Sequence, residues 1–218
     1  MKVKTLAFAI VLLMSETASA QESPAPAPRA TSGMGAQGQI VLAADLPFMN
    51  SNPLFAVIRQ SNSAANGSPS TSATIYAIAP SADYFVAPNV SLGGLIGIAH
   101  GSTSTAGSSN DTTTFGIMVR GGYSAQLTES LSLWARLGIG YSHTSTTSGG
   151  FDITLSTVPL VVEVPILWHP APHFFIGAGP TLTTELSSSA SAMGNSQDQS
   201  KTTDIGVTTM LGGYFGGT

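Results

Sequence analysis

Residues 112–144 read TTTFGIMVRGGYSAQLTESLSLWARLGIGYSHT, and the alternation within them decides the fold. Phe115, Ile117, Val119, Gly121, Tyr123, Ala125 and Leu127 share one parity, and Thr114, Gly116, Met118, Arg120, Gly122, Ser124 and Gln126 share the other, the period of two that marks a strand. After Thr128-Glu129-Ser130 the pattern resumes, with Leu131, Leu133, Ala135, Leu137, Ile139 and Tyr141 against Ser132, Trp134, Arg136, Gly138, Gly140 and Ser142. Both runs exceed the usual strand of about 5–6 residues. Each is also longer than the ~9–11 tilted residues that cross a bilayer, so the hairpin reads as membrane-spanning. Pairing Leu127 with Leu131 across the turn puts Arg120 opposite Gly138 and Arg136 opposite Gly122. The two guanidinium groups are then diagonal neighbours on one face and need acids between them.

Working outward, the whole chain of 218 residues is 8% charged, 42% hydrophobic and contains 24 Gly and no Cys. A soluble domain carries about 25% charged residues, yet no internal run approaches the ~20 apolar residues of a spanning helix. A closed sheet is the other structure that satisfies every backbone polar group in lipid. The net charge of -4 with scattered Lys and Arg gives no footing for nucleic acid. Without cysteine there is no disulfide, thiolate metal site or lipid-bearing thiol.

Residues 1–20 have the form of a cleaved secretory signal peptide: Lys2 and Lys4, an apolar core from Leu6 to Met14, then Ala18-Ser19-Ala20. Residues 21–37, with Pro24, Pro26 and Pro28, read as an extended Pro/Ala-rich tether. From 38 to 218 eight strand patterns follow, at about 39–48, 74–87, 90–99, 114–127, 131–142, 152–168, 174–185 and 203–215. In the sixth the apolar parity slips beside Pro159, which predicts a bulge there. Short turns at Pro88, Thr128 and Pro170 alternate with longer Ser/Thr/Gly-rich connections at 49–72, 101–111, 145–151 and 187–201. That asymmetry is the one shown by transmembrane barrels, whose short turns face the periplasm. The expected fold is therefore all-β, an eight-stranded antiparallel up-and-down transmembrane β-barrel over 38–218.

Charges and aromatics fit this division. Asp45, Asp83, Arg120, Arg136, Glu163, Glu185 and Asp204 all fall on the parity opposite the apolar face, where no lipid-facing penalty applies. Asp83, Arg120, Arg136 and Glu163 lie about 5–7 residues above the short turns, hence at similar depth, and with Asp45 they are expected to form one buried charge cluster. Glu163, on the adjoining strand, is expected as the acid for Arg136, and Asp83 is expected to reach in from the opposite wall. Phe48, Tyr76, Phe115, Tyr141 and Phe151 lie near the longer connections, and Tyr84, Tyr123, Trp168, Phe174 and Phe215 near the short turns. These are read as two interfacial girdles.

The run Pro80 through Tyr84-Phe85-Val86, a short turn, Leu92-Gly93-Gly94, and the later run from Trp168-His169-Pro170 to Gly177-Ala178-Gly179-Pro180 resemble small Gram-negative outer-membrane β-barrel proteins. The resemblance is to the OmpA-like and OmpX-like group, over about 38–218. It implies an outer-membrane location after cleavage of the signal peptide, contact with the lipid bilayer and lipopolysaccharide, and handling by the barrel assembly machinery. It names no cofactor and no partner for the outer loops.

An eight-stranded barrel is filled by its own side chains, so the cluster is expected to plug the lumen and the role to be structural or surface-interacting, without a diffusion pore and without catalytic residues. One enzymatic alternative rests on His143 with Ser145 and His100 with Ser102. This His-x-Ser spacing is similar to that of outer-membrane lipid A deacylases, where a histidine activates a serine toward a lipid ester; no acid on the same face orients either histidine. His169 and His173 bracket a proline turn, but no Cys or close carboxylate completes a metal set. A soluble secreted β-sandwich or adhesin is the third class. A sandwich turns its apolar face into a core and carries charge at ordinary density outside, which this composition lacks.

Overall fold

Runs of alternating apolar and small polar residues with Gly or Pro punctuation give strands and turns, and strands are what the chain forms. The computed structural model describes residues 33–45, 55–62, 71–105, 108–148, 151–192 and 195–217. The signal-peptide stretch, the first part of the tether and Phe48 lie outside the described residues. Among the described residues are twelve strands: β1 Gln39–Ala44, β2 Phe55–Asn62, β3 Thr71–Ile78, β4 Pro80–Ala87, β5 Val90–Thr105, β6 Ser108–Gln126, β7 Leu131–Ser148, β8 Phe151–Glu163, β9 Ile166–Ala171, β10 Phe174–Ala192, β11 Asn195–Asp198 and β12 Thr203–Gly216. All pairings are antiparallel, and the sheet closes on itself through β1 with β12 and β5 with β6. The fold is all-β, an antiparallel sheet closing in a ring of eight strands.

Twelve segments make eight staves because some are parts of one stave. β3 and β4 keep one register along β5 from Thr71↔Thr105 to Phe85↔Ser91 across a break at Ala79-Pro80, where Pro80 has no N–H to give, and the register shifts only at the end of β4, between Phe85 and Ala87. β8 and β9 likewise continue one another along β7 across Val164-Pro165. There the Trp134 amide bonds the Pro165 carbonyl at 3.0 Å, so the backbone stays satisfied.

Several strand ends differ from the reading of the sequence. The stretches expected as long loops are largely paired strand: β2 lies inside 49–72, β5 and β6 pair to Thr105↔Ser108, β7 and β8 to Ser148↔Phe151, and β10 turns back through β11 at Ala192↔Asn195. Ladder bonds come from the backbone, so hydroxyl-rich sequence extends a sheet as well as apolar sequence does. Phe151 therefore sits at a hairpin tip and not in a girdle with Tyr141. The bulge expected in β8 at Pro159 is instead in its neighbour, where Glu185↔Pro159 is followed by Ser187↔Val158 and Leu186 is extra. Register with β7 is undisturbed, so Ile153 and Leu155 oppose Thr146 and Thr144 on the inner side, which is why their parity differs from that of Leu160 and Val162.

Inside the ring the side chains are layered. At the base Met34, Val41, Phe85, Trp134, Leu167, Phe175, Met210 and Tyr214 form an apolar floor. Residues 33–37, read with the tether, are packed under that floor: Met34 is buried, Gln39 Oε1 accepts from the Gly35 and Ala36 amides at 2.7 and 3.1 Å, and its Nε2 donates to the Gly33 carbonyl at 3.1 Å. Higher up, Leu95, Met118 and Val161 form a smaller apolar layer. The charged residues lie between the two.

Candidate functional site

Arg120 on β6 and Arg136 on β7 stand opposite Gly138 and Gly122, the register that the turn implies. Glycine is required at these places by space: a Cβ on Gly138 would lie 2.7 Å from Met118 Sδ and 3.2 Å from Arg120 Cβ. Across the intervening strand β5, Gly93 sits level with both Asp83 and Arg120. A Cβ there would overlap the Asp83 carboxylate. Its absence lets an acid and a base two staves apart meet.

They meet as a chain of alternating charge. Arg120 donates Nε to Asp83 Oδ1 at 3.1 Å and Nη2 to Asp83 Oδ2 at 2.6 Å, while its Nη1 reaches both oxygens of Asp45 at 3.1 and 2.9 Å. Arg136 Nη1 donates to Asp45 Oδ2 at 2.7 Å. Arg136 Nη2 lies 2.8 Å from Glu163 Oε2. That separation makes an ion pair, but the angle excludes a hydrogen bond, since Nη2, like Nε and Glu163 Oε1, is left without a hydrogen-bond partner. All five side chains are buried, with residue exposures from 0 to 4%. Buried charges persist when paired and hydrogen-bonded.

Thus Asp45, Asp83, Arg120, Arg136 and Glu163 are brought together, with two changes of role. Asp45, placed in the cluster without a partner by the sequence, is the acid shared by both arginines. It enters from the end of β1, four staves from β7 and therefore opposite it in a ring of eight. Asp83 is not on the opposite wall but two staves from Arg120.

Trp134 supports the chain from below. Its ring lies 4.6 Å from the Arg136 guanidinium carbon and 5.7 Å from that of Arg120, stacks against Phe85 and meets Phe175 edge-on. Its Nε1 donates to Ser91 Oγ at 3.2 Å, satisfying the one polar atom of a fully buried indole. The sequence placed Trp134 on the parity of Arg136, two residues away, and that shared face is the signal for its role.

The histidines are arranged differently from the spacing that suggested an esterase. His143 Nδ1 lies 3.0 Å from Ser156 Oγ on the neighbouring strand, and His100 Nδ1 lies 3.0 Å from Thr113 Oγ1. Ser145 and Ser102 are not their partners. Residues two apart on a strand are separated by ~6.6 Å of rise, whereas cross-strand neighbours are about 4.5–5.5 Å apart at Cβ. Tyr141 also donates to Ser156 Oγ at 3.2 Å. No carboxylate hydrogen-bonds His143 or His100 among the described residues, so neither pair has the third member that orients a catalytic imidazole. His169 Nε2 bonds Ser132 Oγ at 2.8 Å, and Tyr214 packs between His169 and His173, so these two are engaged with the floor and not with each other.

No protein-family model matches this chain, and no curated protein matches it.

Proposed function

We propose that this protein is an outer-membrane β-barrel whose eight staves cross the bilayer, with a structural or surface-interaction role and a lumen plugged by the buried charge cluster. The observation that carries the reading is the inversion of the ring. At mid-height its charges, Asp45, Asp83, Arg120, Arg136 and Glu163, are inside, while Leu92, Ile96, Ile98, Ile117, Val119, Leu137 and Ile139 point outward, each between 44 and 62% exposed. A soluble monomer seldom exposes an apolar patch beyond a few hundred Å², and here the band follows neighbouring staves at one height. Lipid is the solvent that such a face fits.

Aromatic residues bound the band. Tyr84, Tyr123, Trp168 and Phe215 stand outward near the short turns and Tyr76, Phe115 and Tyr141 outward toward the far end. Tyr123 and Phe115 are eight residues apart on β6, roughly 26 Å along the strand and about 19–22 Å in height at the tilt of such barrels, which spans most of their ~25 Å apolar belt. The strands continue beyond Phe115 with Ser and Thr, as parts clear of the bilayer would.

A soluble sandwich or adhesin needs two sheets packed through a shared core, and a single sheet closed on itself with its large apolar residues outside does not supply one. The deacylase alternative is less well supported, since His143 and His100 face Ser156 and Thr113 in place of Ser145 and Ser102, with no carboxylate bonded to either imidazole among the described residues. The test is extraction and electrophoresis. The protein should need detergent to leave the membrane fraction and should migrate faster in SDS before boiling than after. Release into the aqueous fraction without detergent, with one mobility throughout, would return the reading to a soluble protein.

A further inference from the structure

The formal charges inside the ring do not cancel. Asp45, Asp83 and Glu163 supply three carboxyl groups, and Arg120 and Arg136 two guanidinium groups. The five are strung in a line, Asp83 to Arg120 to Asp45 to Arg136 to Glu163, and the quality of the contacts falls toward the Glu163 end. Asp83 receives a two-point contact from Arg120, and Asp45 accepts from both arginines. Glu163 has a misaligned ion pair to Arg136 and an Oε1 that is buried with no partner. Beside it Thr181, its register partner on β10, has a buried hydroxyl that is also unpartnered.

We propose that the cluster binds one proton, held on Oε1 of Glu163. Two aspartates and two arginines then cancel, and Glu163 enters the interior as a neutral carboxylic acid. A net charge enclosed among apolar layers is disfavoured far more than a neutral hydrogen-bonded group. The proton comes from solvent, and it goes to the one carboxylate oxygen of the three acids that is buried with no donor to hold its charge. The groups facing Glu163 are Arg136 from β7, the Thr181 hydroxyl from β10, the Thr208 hydroxyl of β12, which hydrogen-bonds its carboxyl, and Asp45 and Arg120 from across the ring. Farther toward the outer end, Glu185 accepts from the Thr202 amide at 3.0 Å, and Asp204 is paired in register with Thr183. Neither carries a positive charge that would serve Glu163 in place of the proton.

The inference rests on the closed interior and not on the membrane reading. It is tested by infrared spectroscopy of the folded protein at neutral pH, with glutamate carboxyls labelled with carbon-13. The expected spectrum shows a label-shifted carbonyl stretch of a neutral carboxylic acid that is insensitive to exchanging sodium for potassium, lost in Glu163→Gln and kept in Glu185→Gln and Glu129→Gln. A wild-type spectrum with carboxylate bands alone overturns the proposal, as does an acid band that survives in Glu163→Gln. Carboxylate bands that shift on exchanging the cation overturn it in favour of a bound monovalent ion. Should Glu163→Gln fail to fold, the wild-type spectrum decides whether the acid exists, and Gln variants of the other four glutamates, Glu16, Glu22, Glu129 and Glu185, assign it by elimination. Soluble behaviour in extraction together with a retained acid band would sink the membrane reading and leave this one standing.

Discussion

Asp45 accepts hydrogen bonds from guanidinium groups on two neighbouring strands, so Asp45→Asn removes the charge they share, leaving Arg120 with Asp83 and Arg136 with only its misaligned contact to Glu163. Breaking a buried ion pair on one side typically costs about 3–5 kcal/mol. We expect a loss of that size in denaturant unfolding followed by Trp134 fluorescence in a Trp168→Phe background, with partial recovery when Arg136→Gln is added. An unfolding curve that overlays the parent would show that the charge chain does not hold the interior together. Much of this chain was legible in the sequence: parity put all five charges on one face, and the Thr128 turn fixed which glycine faces which arginine. What was not legible is position around the ring. Counting along strands gives height but not azimuth, so the place across the ring expected of Asp83 is taken by Asp45, for which no partner was expected. The cross-strand partners of His143 and His100 were not legible for a related reason, since cross-strand neighbours are closer than residues two apart in the chain.

At the scale of a strand, the two faces of β6 and β7 differ in what they tolerate. Ile117 and Leu137 point outward and Gly116 lies on the inner parity. With lipid outside, Ile117→Arg or Leu137→Arg should cost about 2–4 kcal/mol near midplane and lower the fraction that migrates as the compact, heat-modifiable form. Gly116→Ser should be milder; equal damage from both kinds of change would count against the faces as assigned. These faces were readable because side-chain period is a property of each strand alone. Strand ends were not, because Ser, Thr and Gly carry no apolar signal while their backbone groups pair as well as any. The parity slip in β8 shows the same limit: it was visible, but the sequence of β8 could not reveal that the extra residue belongs to Leu186 on β10.

For the molecule as a whole, floor, charge chain and upper apolar layer close the ring in depth, with Trp134 fully buried between floor and charges. The intact protein in a planar bilayer should therefore show no discrete, lasting conductance steps. Sustained openings of uniform size would replace the plugged interior with a channel. That eight staves close on themselves was inferred from their number and their alternating connections; only the β1 and β12 pairing demonstrates the closure. Closure also dates the brace. Asp45 lies 75 and 91 positions from the two arginines it joins, and it faces them only after the sheet has curled and its first and last strands have met. An interaction made that late is absent from the transition state for assembly, and it lowers the rate of opening without hastening closing. Asp45 is then less a part of how the ring forms than a latch on how long it stays shut, and the loss in Asp45→Asn should fall on the lifetime of the folded state.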